Sequence, residues 1–477
     1  MRKFFLTFIL VVALAVTASA QTRQIHILSS NDMHATIDNM PMLAAIADSL
    51  RQLDNSLLVF SAGDNRTGNP VNDLYSIPTY PMTALMNFIG FDASTFGNHE
   101  FDNKQAGLSK LLSTSNFPYI CANVKAAPEL NINPLPYKIY EIEGVKVGVL
   151  GIVQLGIHGY PDCHPDLVKG MQFTNPEETI RQYLWLRDKV DVFILLSHIG
   201  YEDDVEMAKK FPAFDLIIGG HTHTQLDGGE LHNGVLITQN VNKLKRVTYI
   251  TIDVVDGKVV KKEATNINVQ NYPVKNMAVQ SLVDYFNNNP EFERVLATAT
   301  EFTNNEQLGC LMCDAMISEA QADLALENYG GVRLEQKDAG PFTVKDVLRL
   351  DPFGNDCIEI MMTGEEYKQM LISCYENSDG WFPFIGGAKC DVIFNKKDTT
   401  KIDDLRLYTL DGKKFDLKKT YKVVTNSYVA AICDAPRRDP GHANGMICSD
   451  MIMTFLEKMK TIDYSNVSRI RFGYYSR

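Results

Sequence analysis

Five of the ten histidines in this chain sit in short clusters with aspartate, asparagine and glycine. The clusters are Asn31-Asp32-Met33-His34, Gly97-Asn98-His99-Glu100-Phe101-Asp102, Ser197-His198-Ile199-Gly200 and Gly219-Gly220-His221-Thr222-His223-Thr224. Ala62-Gly63-Asp64-Asn65 is a fifth cluster, without histidine. Imidazole, carboxylate and amide oxygen together suit zinc, manganese or iron better than calcium. In extended backbone, residues i and i+2 project to one side. Asp32 with His34, and His221 with His223, are therefore each expected to present two donors together. Six or seven donors exceed the needs of one ion. A carboxylate such as Asp64 can bridge two, so the donor count favours a two-metal site. Gly63, Gly97, Gly219 and Gly220 are expected to let the backbone turn sharply beneath the ligands. Singly, a His-x-His or a Gly-Asp is weak evidence. Five clusters in order behind five strands are hard to obtain by chance.

The elements that position them are short. Strands are expected over Gln24–Ser29, Leu57–Ser61, Lys146–Gly151, Val192–Leu196 and Leu216–Ile218, with a further run over Asp92–Phe96. Each polar cluster stands at the carboxyl end of one such run, where ligand sites of layered α/β folds gather. Helical patterns over Met42–Leu53, Pro81–Phe88 and Pro176–Asp188 alternate with the strands, which suggests sheet covered on both faces. Lys245 to Val269 reads as a closing hairpin around Asp256-Gly257. Pro273 to Asn289 reads as a linking helix stopped at Pro290, and a further helix is expected over Gly309–Ala322. The resulting division is 1–20, 21–270, 271–300 and 301–477.

Residues 1–20 are read as a secretory signal: Arg2 and Lys3, an apolar run from Phe4 to Val16, then Ala18-Ser19-Ala20. The apolar run is too short to span a bilayer, so the expected product is exported, periplasmic or secreted, with no membrane span. The 477 residues are 45% apolar and 22% charged, ordinary globular values that fit two or three domains. A net charge of -12 argues against binding a nucleic-acid duplex or an anionic membrane. Nine cysteines leave at least one unpaired within a single chain, and their connectivity is not readable from sequence. Cys310-x-x-Cys313 lies in a helical apolar pattern with no second Cys/His pair at zinc-ribbon spacing, so a buried structural role is expected.

Taken in order, Asn31-Asp32-x-His34, Gly63-Asp64, Gly97-Asn98-His99-Glu100-Phe101-Asp102, Ser197-His198 and Gly220-His221-Thr222-His223 resemble the calcineurin-like metallophosphoesterases. Gly-Asn-His-Glu-Phe-Asp points within them to the 5′-nucleotidase and UDP-sugar hydrolase branch. The resemblance implies a four-layer αββα catalytic domain followed by a smaller α/β substrate-binding domain. It implies one divalent ion on Asp32, His34, Asp64 and His223 and a second on Asp64, Asn98, His198 and His221. It makes His99 catalytic, with Asp102 orienting it. In the second half, Asn328-Tyr329-Gly330-Gly331-Val332-Arg333, Asp351-Pro352-Phe353-Gly354-Asn355 and Thr425-Asn426-Ser427-Tyr428 resemble the family's nucleotide-contact segments. Asn328 and Arg333 would touch nucleotide, while Phe353 and Tyr428 would stack on the base.

Departures fall on the substrate side. Where the family usually has Gly-Gly-Asp-Gly-Phe after its second aromatic, this chain has Ala430 to Gly441, in which Arg437 and Arg438 could serve a more anionic leaving group. Gly309-Cys310-Leu311 replaces Gly-Asn-Leu, and Phe302 stands where some members have arginine. The expected reaction is hydrolysis of a nucleotide phosphate ester by a metal-bound hydroxide, assisted by His99. The alternatives are a UDP-sugar or 2′,3′-cyclic nucleotide hydrolase, or a binding protein without turnover.

Overall fold

The structure is a computed structural model that describes residues 22–54, 56–77, 79–378, 380–398 and 400–474. The leader expected over 1–20 lies outside the described residues. Two sheets form the first half of the chain. The first runs Lys258–Asn268, Arg246–Val255, Arg23–Ser30, Leu58–Ser61, Ala93–Ser94 in spatial order, parallel among its last three strands. The second runs Glu230–His232, Val235–Thr238, Leu216–Ile218, Val192–His198, Val145–Val153, Tyr137–Ile142, with a parallel centre.

Alternation along each strand assigns its two faces. Ile25, Ile27, Phe60 and Ile250 meet Val147, Ile194 and Leu216 between the sheets. Leu28 and Val59 face outward onto helices Met40–Leu53 and Tyr80–Ile89. Leu150, Phe193, Leu195 and Ile217 face outward onto Ile180, Met207 and Phe211. Strand side chains alternate with period two, so one apolar strand can bury both faces. The outcome is helix, sheet, sheet, helix. The parallel strands of both sheets end on one edge, where the polar clusters begin.

The hairpin turn at Asp256 and Gly257 has φ of 48° and 70°, the conformation that makes Asp-Gly a hairpin signal. The helix expected over 176–188 tightens into a 3₁₀ turn at Leu184–Lys189. Arg187 there pairs with Asp215 at 2.6 Å and donates to the Val190 and Asp191 carbonyls, which draws the chain into the next strand.

Residues beyond Val295 build a separate core. Its main sheet runs Phe384–Gly386, Leu324–Glu327, Thr420–Asn426, Asp356–Thr363, His442–Ile447. The central helix covers Asn305–Ala320, earlier at both ends than the apolar pattern alone indicates. Asn304 caps it by accepting from the Gln307 N–H at 3.0 Å, and Gln321 ends it in the left-handed region. Cys310 and Cys313 are fully buried on this helix, and burial pushes both thiols up, to about 12 for Cys310. The linking helix, Met277–Asn287, puts Val279, Val283 and Phe286 into the first core. Phe292, in the turn after it, packs against both cores.

Gly309 has no room for a side chain: a Cβ there would stand 2.3 Å from Cγ of Phe384. Gly309→Ala should therefore destabilise the second domain by about 1–3 kcal/mol, the usual cost of overpacking. Denaturant unfolding of the variant checks this, and an unchanged midpoint would show that Phe384 yields freely.

Candidate metal centre

The candidate ligands stand at or just beyond the ends of their strands, His198 being the last residue of Val192–His198. Asp32 N–H donates to the Gly63 carbonyl at 3.0 Å, His34 N–H to Asp64 at 3.0 Å, and Ala35 N–H to Asn65 at 2.9 Å. The two loops are thus pinned to each other. Asp32, His34, Asp64, His221 and His223 have φ of 47°, 45°, 51°, 82° and 56°. The expectation that these pairs sit in extended backbone is corrected here: they occupy the left-handed region, a strained state that persists when its surroundings over-determine it. The twist separates the His-x-His pair. His223 turns toward Asp32 and His34, and His221 turns toward Asn98 and His198. The glycine expectation changes too. Of the four, only Gly63 has a positive φ, at 88°. Gly97 is needed for space, because a Cβ would come within 2.1 Å of Asp64 Oδ1.

Donor atoms of three groups lie within 4.8 Å of one another: Asp32, His34 and His223; His34, Asp64 and His99; Asp32, Asp64 and His198. His34 Nε2 and His223 Nε2 stand 3.1 Å apart, and His223 Nε2 is 3.3 Å from Asp32 Oδ1. His198 Nε2 is 3.3 Å from Asp64 Oδ2 and 4.0 Å from Asp32 Oδ1. His221 Nδ1–H donates to Asn98 Oδ1 at 3.1 Å.

Second partners fix how these rings are used. His34 Nδ1–H donates to the Thr67 carbonyl at 3.1 Å, and His198 Nδ1–H to the Ala62 carbonyl at 2.6 Å. Each leaves Nε2 turned into the site, the arrangement that orients an imidazole as a ligand. Among the described residues, buried His198 Nε2 makes no hydrogen bond and has Asp64 Oδ2 at 3.3 Å as a facing carboxylate oxygen. Burial and the Arg333 cation hold His34 well below the usual imidazole range, and burial with His198 pushes His221 down to about 4, so both stay neutral. At His198 burial opposes charge, but Asp64 and Asp32 outweigh it and push the ring up to about 10. Two buried carboxylates therefore demand a cation, and a proton on His198 answers part of that demand. The residues fit divalent metal.

His99 stands beside this pocket. Its Nδ1–H donates to Asp102 Oδ2 at 2.8 Å, and its Nε2 lies 4.0 Å from Asp64 Oδ2. Burial disfavours its charged form, yet Asp64 and Asp102 together raise it above the usual value. Thr67 Oγ1 donates to the same Asp102 oxygen at 2.7 Å.

Two residues inside the motifs carry roles that motif reading leaves unassigned. Glu100 is buried and accepts the backbone N–H groups of Asp64 and Asn65, each at 2.9 Å, and of Gly97 at 2.6 Å. It ties the Asp64 and Asn98 loops together. Asn31 donates to Asp32 Oδ2 at 2.7 Å and to the Asn240 carbonyl at 2.8 Å.

The second domain reaches the same place. Arg333 Nη2 lies 3.2 Å from both ring nitrogens of His34, and Lys243 Nζ donates to the Arg333 carbonyl at 3.0 Å. Phe353 stacks on His99 with ring centres 6.0 Å apart, and the Arg333 guanidinium lies 6.0 Å from the Phe353 ring. Asn328 is bound inside its own domain, accepting from Asn426 at 2.9 Å. Tyr428 is partly buried, and burial with the Asp162 carboxylate raises its phenol. Among the described residues its ring makes no contact with that of Phe353. Arg437 is taken up by the loop itself, while the Arg438 side chain stays largely exposed. Arg437 donates to the Cys433 and Ala430 carbonyls at 2.9 and 2.8 Å, and Arg438 pairs with Glu366 at 3.0 Å.

Residues 25–225 match the family model of the calcineurin-like phosphoesterases, and residues 285–435 match that of the 5′-nucleotidase C-terminal domain. The chain belongs to the calcineurin-like phosphoesterases that carry a 5′-nucleotidase C-terminal domain. It is 28% identical over 466 residues to the trifunctional nucleotide phosphoesterase YfkN of Bacillus subtilis, covering 85% of this chain but only 32% of that longer protein. It is 27% identical over 533 residues to a 5′-nucleotidase of Vibrio cholerae, covering 93% of this chain and 92% of the other. The structure of a 5′-nucleotidase precursor from Thermus thermophilus superposes with a TM-score of 0.83 at 22% identity, over 94% of this chain and 99% of that one, which shows the fold. Calcineurin-like phosphoesterases use divalent metals, in keeping with the donor set above.

Glu100 yields a prediction within this phosphoesterase domain. Glu100→Gln places an amide NH₂ among three backbone N–H donors. It should weaken Mn²⁺ or Zn²⁺ binding about 10–100-fold, the usual cost of losing a residue that orients ligands. Titration calorimetry measures it, and unchanged affinity would mean that the loops hold their shape without Glu100.

Proposed function

We propose that this phosphoesterase is an exported two-metal enzyme of the 5′-nucleotidase type, acting on the phosphate ester of nucleotides. The observation that carries the reading is convergence. Asp64 lies within 4.8 Å donor groups that also include His34, His99, Asp32 and His198, while Arg333 and Phe353 arrive on the same spot from the other domain. In this reading Asp32, His34, Asp64 and His223 hold one ion, and Asp64, Asn98, His198 and His221 hold the other. Two divalent ions, when bound, supply a nucleophile at neutral pH and neutralise charge on the phosphoryl oxygens.

The chain's own groups do the rest. His99, kept cationic by Asp64 and Asp102, stabilises charge on the reacting phosphoryl group or gives its Nε2 proton to the leaving oxygen. Asp102 holds the ring by its Nδ1–H, so Nε2 is the free end. Arg333 offers a planar fork suited to phosphoryl oxygens. Phe353 offers a ring face that accepts any base. The nucleotide assignment is supported by the second-domain match and by the names of the two relatives. Export is supported by the leader pattern of residues 1–20.

His99→Asn should keep the metals and lower turnover roughly 10²–10⁴-fold, the range for an acid–base group. Metal analysis beside a rate assay decides the matter: metal loss equal to that of Asp64→Ala would make His99 a ligand. A panel of phosphate esters with Mn²⁺, Zn²⁺ or Mg²⁺ tests the activity itself.

Phe353→Ala should weaken nucleotide binding by about 1–3 kcal/mol, the worth of a base–aromatic stack, while a small aryl phosphate is cleaved nearly as before. Tyr428→Ala should behave alike. Equal loss on both substrates for Phe353→Ala would show instead that its ring serves as a support for His99.

A further inference from the structure

Two cysteine pairs bring their thiols within hydrogen-bonding reach, Cys357 with Cys448 and Cys374 with Cys433, and the second pair adjoins the helix that carries Tyr428. Cys374 lies near the end of helix Gly364–Glu376, and Cys433 ends the helix Ser427–Ile432 that carries Tyr428. Their Sγ atoms are 3.9 Å apart, although 59 positions separate them in sequence. A disulfide needs about 2 Å between sulfurs, so bond formation requires the two side chains to close the remaining gap. Cys433 is buried and Cys374 partly exposed.

The surroundings give the contact a purpose. Cys433 opens the segment Ala430–Gly441, where this chain departs from the family pattern. That segment is already tied to the same helix further along, where Arg438 pairs with Glu366 at 3.0 Å. Glu366 and Cys374 are eight residues apart on one helix. A bond at Cys374 would hold the near end of the segment as Glu366 holds the far end.

We infer that Cys374 and Cys433 form a disulfide in the oxidised protein and thereby staple the Tyr428 helix and the loop behind it to helix Gly364–Glu376. The Cys374 thiol donates toward Cys433, and with burial opposing, that bond, the Ala435 N–H, Ser373 and Arg437 bring the Cys433 thiol down to about 6, which readies it as the attacking group. The oxidant is a disulfide, such as oxidised glutathione or a thiol oxidase of an oxidising compartment. The Cys433 thiolate attacks one of its sulfurs and expels one thiolate. Cys374 then loses its proton and attacks Cys433 Sγ, which expels the second. Two thiols are oxidised and one disulfide is reduced to two thiols.

Inside the cell the inference rests on the proposed export, since thiols stay reduced in a reducing compartment. The purified protein separates the two questions. The full mature chain, reduced and then held with oxidised glutathione, is alkylated, digested without reductant and mapped by mass spectrometry. The expected product joins the Cys374 and Cys433 peptides and disappears on reduction. The thermal midpoint should rise by about 5–10 °C on oxidation, and this shift should vanish in Cys374→Ser while its reduced form unfolds like the reduced wild type. Both thiols recovered alkylated, or either one joined to a different cysteine, would overturn the inference. Fractionation of cells tests export separately: a cytosolic chain that cross-links in the tube would sink export and leave the staple standing.

Discussion

The molecule is organised around an electrostatic debt. Asp32 and Asp64 are both buried, and their carboxylates share a space walled by imidazoles. Burying two like charges together costs far more than any surface ion pair returns. That cost is tolerable only where positive charge is held in the same small volume. His198 pushed up to about 10, His99 raised, and Arg333 drawn in from the other domain are three answers to one field. His34 and His221, by contrast, are kept neutral, which is the form that can ligate a metal.

Holding that arrangement requires backbone that would not adopt it alone. Five candidate ligand positions with positive φ are kept there by hydrogen bonds between loops, with Glu100 gathering three amides and Asn31 bracing Asp32. The two sheets supply the rigid floor. Their parallel strands end on one edge, so loops from distant parts of the chain need to travel only a few residues to meet. Strain at the ligands is thus offset by a core of alternating apolar side chains that has nothing to do with the chemistry.

What was legible in the sequence follows this division. The strand ends were readable because apolar runs between helical patterns are written residue by residue, whereas the four-layer order came only with the family resemblance. The donors were readable because few other uses combine imidazole, carboxylate and amide at strand ends. The local geometry was not. Nothing in Asp32-x-His34 announces φ above zero, since the left-handed state comes from the hydrogen bonds of His34 to Asp64 and Ala35 to Asn65 across thirty residues. Arg437 and Arg438 read as anion binders in sequence, and only the fold shows Arg437 bound to two carbonyls of its own loop, with Arg438 exposed beside Glu366. Asn304 was a legible cap that the apolar pattern obscured.

The second domain completes the site through a single side chain more than through a surface. Arg333 is the point where the two cores communicate: its guanidinium lies on His34, its carbonyl takes Lys243, and Phe353 beneath it lies on His99. Moving this cation away would leave the carboxylates less compensated, so closure of the two domains and the charge state of the pocket are linked. An anionic phosphoryl group entering the pocket would gain Arg333 and the site's own cations together. One of the interactions that hold the domains in contact is therefore one that a phosphate ester would compete for, which couples binding at the pocket to how the domains sit.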